Sequence, residues 1–183
     1  MAGTNVADAL VEYLSSRGVE NIFGVLAHTS FAIGDAIARR PPMRFVNAQH
    51  EGGAGNMALG YARATKKPAV CLVSAGGGAT NIATAVAQAH KESVPLFVIS
   101  SDIDTAASAK GPFSSFHGME QCPAVSTDHQ AQRQARARRR IGTAVGLDVP
   151  PSDAWPPGPG FLNCPGRFAA CPSSRAVELR ARR

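Results

Sequence analysis

Two short runs, residues 68–74 (PAVCLVS) and 95–100 (PLFVIS), constrain this chain more than any other feature. A strand with one face in water alternates apolar and polar residues. A strand that is apolar almost throughout must be covered on both faces. Strands of that kind belong to parallel sheets whose crossover helices lie on either side. The segments around the two runs fit such an arrangement. Val6, Ala7, Leu10, Val11 and Leu14 recur at helical spacing, and Gly18 follows as a stop. Residues 21–25 (NIFGV) read as a strand and 31–39 as a short helix ended by Pro41 and Pro42. Residues 44–48 read as a second strand. Residues 53–64 read as a helix with Ala54, Met57, Ala58 and Tyr61 on one face, and 79–90 as a helix of small residues. The predicted fold class is therefore α/β, a doubly wound, mainly parallel sheet with helices on both faces. In such sheets ligands bind beyond the carboxyl ends of the strands. The loops that follow Val25, Ala48, Ser74 and Ser100 are the ones to inspect.

Composition divides the chain near Gln121. Residues 1–121 carry nine Lys/Arg and nine Asp/Glu, whereas residues 122–183 carry ten Arg, no Lys and four acids. The net charge of +6 therefore lies entirely in the last third, which also holds eight of the thirteen prolines. Residues 130–140 (QAQRQARARRR) have no apolar face, and residues 150–159 (PPSDAWPPGP) suit neither a helix nor a central strand. Two domains are expected: 1–121 as the folded unit, and 122–183 as a basic Pro/Arg/Ala-rich tail. The tail reads as disordered, or as translated out of frame with the frame partly regained. Charge alone points the tail at nucleic acid, but interleaved aromatics are lacking, so that partner is not expected. No secretory leader or membrane-spanning run is present, and a cytoplasmic location is expected. The four cysteines form no CxxC pair and have no metal-ligand spacing, so neither a disulfide scaffold nor a zinc site is expected.

Chemistry concentrates in two glycine-rich loops. In residues 49–56 (QHEGGAGN) the carboxylate of Glu51 stands between a strand and the start of a helix, with nothing nearby to cover it or pair with it. Its simplest role is to sit favourably at a helix N-terminus, worth ~0.3–1 kcal/mol. Residues 74–81 (SAGGGATN) follow a strand and open a helix. Glycines there let backbone N–H groups approach a ligand, or else make only a tight turn. The loop is not a GxGxxG fingerprint, and no lysine is placed as in a P-loop.

The ordered set of motifs is more specific than either loop. HEGGAG at 50–55, GYARAT at 60–65, AGGGATN at 75–81 and SVPL at 93–96 resemble the N-terminal, pyrimidine-binding domain of thiamine-diphosphate-dependent enzymes, with the acetolactate-synthase-like group closest. The likeness covers about residues 4–121. Gly52 stands where the family pattern has glutamine, and Gly77 where it has proline. The resemblance implies that residues 1–121 bind thiamine diphosphate. Glu51 would hydrogen-bond N1′ of the aminopyrimidine ring and favour the imino tautomer, whose N4′ takes the proton from the thiazolium C2. It implies Glu51 and His117 as catalytic residues, and Glu51, Gly76, Gly77, Gly78 and Asn81 as cofactor-binding residues. His117 lies in residues 116–121 (FHGMEQ), similar to a family stretch beside the active site. It replaces a glutamine there and is a candidate acid/base; otherwise it is a loop histidine. His50 is read either as orienting Glu51 or as packing at a strand end. His28 follows the first strand, and Lys91 and Lys110 read as solvated.

The family holds the diphosphate through Mg²⁺ with a GDG motif on a second domain. The only Gly-Asp pair here, Gly34-Asp35, is in the wrong context, so no metal site is assigned. The expected function is that of the N-terminal domain of a carboligase or decarboxylase acting on 2-keto acids. It would work as a homo-oligomer or paired with a diphosphate-binding domain, and be inactive alone. The alternative is a non-catalytic remnant or interaction module that docks to a full-length relative. Residues 157–165 (PGPGFLNCP) also resemble the family's last strand of this domain.

Overall fold

The computed structural model describes residues 5–103, 110, 115–119 and 121, and beyond these the strand backbone at 132–134 and 160–165 with the side chain of Leu162. The helix α1 (Val6–Ser16) opens on a capping box. Asn5 accepts from the Asp8 N–H, and the Asp8 carboxylate accepts from the Asn5 N–H. Its apolar stripe buries Ala7, Leu10, Val11 and Leu14. The next elements are β1 (Asn21–Gly24), α2 (Phe31–Ala38), β2 (Arg44–Asn47), α3 (Glu51–Thr65) and β3 (Ala69–Val73). They are followed by α4 (Gly77–Asn81), α5 (Ala83–Lys91) and β4 (Leu96–Asp102).

All strand pairings are parallel. The order across the sheet is β2-β1-β3-β4-β6-β5, where β5 is Gln132–Gln134 and β6 is Gly160–Pro165. The two apolar runs became β3 and β4, neighbours in the middle of the sheet. Period-2 geometry sends their side chains to opposite faces. Val70, Leu72, Phe97 and Ile99 pack under α1 and α2, whereas Ala69, Cys71, Val73, Leu96 and Val98 pack under α3 and α5. This is the doubly wound α/β fold that the sequence predicts. Because α2 and α3 cover opposite faces, the winding reverses between β1 and β3. Ligands bind at such a switch point.

Three details differ from the sequence reading. The third helix starts at Glu51, two residues earlier than expected, because His50 serves as its N-cap: the His50 Nδ1 accepts from the Gly52 N–H at 3.1 Å. The buried stripe of α3 is Glu51, Ala54, Gly55, Ala58, Leu59 and Ala62; Met57 is exposed, and Tyr61 stands at the edge against Phe23. The expected helix at 79–90 starts at Gly77 and is broken at Ile82 into α4 and α5.

Beyond Gln121, β6 adds to the free edge of β4 from Phe97↔Gly160 to Asp102↔Pro165, and Leu162 is buried in the core with Phe97 and Ile99. This strand falls within the stretch that resembles the family's last strand. The rest of residues 122–183, apart from β5, lies outside the described residues.

Candidate functional site

The loops after β2 and β3 meet over the carboxyl end of β1. Glu51 is the first residue of α3, and it is neither uncovered nor unpaired, contrary to the sequence reading. It is 7% exposed. Ser74 Oγ donates to its Oε1 at 3.2 Å and Asn81 Nδ2 donates to its Oε2 at 3.0 Å. Both donors are neutral, and among the described residues no cation pairs with Glu51.

Gly78 lies against the same carboxylate. A Cβ there would stand 2.7 Å from Glu51 Oε1 and 2.2 Å from Ser74 Oγ, so only glycine leaves this arrangement intact. Gly76 turns the chain with φ +64°, a conformation that favours glycine, and a Cβ there would stand 2.9 Å from the backbone of His117. A Cβ on Gly77 meets nothing within 4 Å. At Gly52 a Cβ would press on His50 Nδ1 at 3.1 Å and on the Asn81 carbonyl at 3.2 Å.

His117 occupies a turn closed by the Gly118 N–H to the Ser115 carbonyl. Its ring faces Phe116 edge-on at 5.0 Å and the ring of His28 at 5.9 Å. Its Nδ1 is buried and has no hydrogen-bond partner among the described residues. Phe116 is 95% exposed. His50 is exposed and caps α3, so it neither orients Glu51 nor packs at a strand end.

The structure thus brings Glu51, Gly78 and Asn81 into contact and sets His117 on Gly76, with Gly77 open between them. Sequence reasoning missed both holders of Glu51: Asn81 was expected only among the cofactor-binding residues, and Ser74 only as the start of the quoted loop. It also gave no weight to Ser100 and Ser101, two hydroxyls that end an otherwise apolar strand. No group of three or more metal-ligating side chains occurs among the described residues, and no helix there is long and apolar enough to cross a membrane.

A doubly wound parallel sheet with a buried, neutrally held acid at its switch point has the architecture of a cofactor-binding α/β domain. Comparison with known sequences gives the family. Residues 4–124 match the thiamine pyrophosphate enzyme N-terminal TPP binding domain, and the chain belongs to that family. A probable 2-ketoarginine decarboxylase of Pseudomonas aeruginosa is 34% identical over 197 aligned residues, covering 96% of this chain and 34% of the relative. The large subunit of acetolactate synthase isozyme 1 from Escherichia coli is 37% identical over 97 residues, covering 53% of this chain and 17% of the relative. The mitochondrial acetolactate synthase catalytic subunit of Saccharomyces cerevisiae is 41% identical over 96 residues, covering 52% of this chain and 14% of the relative. The chain therefore spans about a third or less of the length of these curated relatives.

Proposed function

We propose that this chain binds the aminopyrimidine half of thiamine diphosphate through Glu51. It would do so as the N-terminal domain of an acetolactate-synthase-like carboligase or decarboxylase acting on 2-keto acids. The observation that carries the reading is the state of Glu51: buried at the switch point, with one neutral donor on each oxygen. A carboxylate offers about four acceptor positions. Two are filled by Ser74 and Asn81, so a lone pair remains to carry the proton that a ring nitrogen accepts.

The residues fit that group. Ser74 and Asn81 fix both oxygens of Glu51, so the acid is oriented before a ligand arrives. With the cofactor bound, Glu51 would share a proton with the ring nitrogen. The missing side chain of Gly78 keeps Ser74 and Glu51 in place, Gly76 makes room for the His117 backbone, and exposed Gly77 leaves backbone bare for a flat ring to approach. When bound, the cofactor supplies an electron sink at the keto carbon of the substrate. His117, on the same rim, is assigned proton transfer at the substrate. The diphosphate and its Mg²⁺ are assigned to a diphosphate-binding domain of this protein or of a partner. The identities to keto-acid enzymes support the substrate class.

The test is a titration of the ¹⁵N-labelled chain with thiamine diphosphate and with its aminopyrimidine fragment. Backbone signals of residues 50–54 and 76–81 should shift saturably, and Glu51→Gln should weaken the binding at least tenfold. If neither compound shifts these signals, or if Glu51→Gln binds as well, the reading fails and the non-catalytic interaction module stands.

A further inference from the structure

The segment that carries His117 is anchored at Gln121, whose side chain is 1% exposed. A buried amide brings two donor hydrogens and an acceptor that all need partners. Gln121 finds them at the end of β4. Ser100 Oγ donates to its Oε1, and its Nε2 donates to the Ser101 carbonyl at 3.2 Å and to Asp102 Oδ1 at 3.1 Å.

The same strand end reaches two other loops. Ser101 Oγ donates to the Val73 carbonyl at 3.2 Å, so its single proton is used and Thr29 Oγ1, 2.6 Å away, is the donor to it. Thr29 adjoins His28. Ser100 Oγ also lies 3.4 Å from the carbonyl of Ser74, whose side chain holds Glu51. The polar end of β4 is therefore a hub. It joins the loop of His28, the loop of Ser74 and, through Gln121 alone among the described residues, the segment of His117.

We propose that Gln121 is a positioning residue: it pins the segment that carries His117 to the end of β4 and so holds His117 on the Gly76 turn, facing His28. The catalytic consequence rests on the reading of His117 as the proton-transfer group; the positioning does not. An apolar residue of equal size would fill the space but leave the Ser101 carbonyl without its amide partner, and the segment would lose its register on the strand.

The experiment compares Gln121→Met with Gln88→Met, a change at a half-buried glutamine of α5 whose amide bonds Glu92, by following histidine ring ¹H–¹⁵N signals of the labelled chain. His28→Gln and His117→Gln assign the two resonances. Gln121→Met should move or broaden the His117 and His28 signals and leave those of His50 and His90 in place; Gln88→Met should move none of the four. Ser100→Ala, which removes one of the three links, should shift the same two signals in the same direction by less, and it serves if Gln121→Met does not fold. Unmoved His117 and His28 signals in a folded variant, even with a lowered melting temperature, overturn the proposal and leave Gln121 a core residue. The thiamine diphosphate titration is a separate readout. If the wild type does not bind while the histidine signals respond as stated, the functional reading falls and the positioning role survives.

Discussion

At the scale of single residues, Glu51 and its neighbours make predictions that separate function from folding. Replacing Glu51 by Gln keeps one acceptor for Asn81 and turns the other oxygen into an amide that donates to Ser74, whose hydroxyl can accept. The fold should lose no more than about 1 kcal/mol in chemical denaturation. With a diphosphate-binding domain supplied and the pair active, the rate should fall by roughly 10²–10⁴, as for lost acid–base assistance. Equal losses from Glu51→Gln and Glu120→Gln would mean that charge alone matters. Gly78→Ala works the other way. Its methyl would displace Ser74 and Glu51, so a stability loss of about 1–3 kcal/mol should accompany weakened pyrimidine binding. Cys71, fully buried in β3, gives a pH prediction. Burial pushes its thiol well above the ordinary range. The unfolded chain thus loses this proton first as pH rises through the ordinary thiol range, near 8.5, and stability falls from there upward. The melting temperature should decline above that pH, less so in Cys71→Ala, and Cys71 should resist alkylation until the protein unfolds.

At the scale of elements, the types were legible and some ends were not. The strands and helices follow from apolar runs and 3.6-residue periods. The start of α3 was misplaced because an imidazole does the capping that Ser, Thr, Asn or Asp usually does. The break at Ile82 has no marker in its residues, since no glycine or proline interrupts the helix there. The partners of Glu51 lie 23 and 30 residues away, and that distance is why the acid looked bare in the sequence. A test at this scale is Gly77→Pro. Gly77 is the first residue of α4, where proline is favoured, and a side chain there meets nothing. The change should stabilise the protein by about 0.4–1 kcal/mol, because it restricts the unfolded chain. A loss of stability would show that the turn from Gly76 needs more freedom than its geometry implies.

At the scale of the whole molecule, the layering was readable because β3 and β4 are apolar on both faces. The order of strands was not, since hydrogen-bonded neighbours are not marked in a sequence. Composition past Gln121 points away from any further strand, and only the likeness of residues 157–165 to the family's last strand marked β6. Arginine and proline dominate residues 122–183, yet β6 lies among them, and its Leu162 is 1% exposed. Leu162→Ala should therefore cost about 2–5 kcal/mol, read as a lowered denaturation midpoint. A loss under about 0.5 kcal/mol, the size of an ordinary surface change, would show that the core closes without β6. A chain cut after Gln121 should tend to associate, because the unpaired edge of β4 would then be open to other strands. Light scattering at increasing protein concentration checks this.

The place of β6 also sets a timetable for synthesis. Residues up to β4 can leave the ribosome with helices ready to cover both faces of the sheet. The partner for the outer edge of β4 comes roughly 60 residues later, a delay on the order of 3–12 s at 5–20 residues per second. During that interval the nascent chain carries a nearly finished domain with one open side, made of seven residues of which six are buried in the complete fold. A slow ribosome lengthens the exposure. Chaperone capture or premature pairing between neighbouring nascent chains on one message should therefore rise when codons for residues 103–159 are translated slowly.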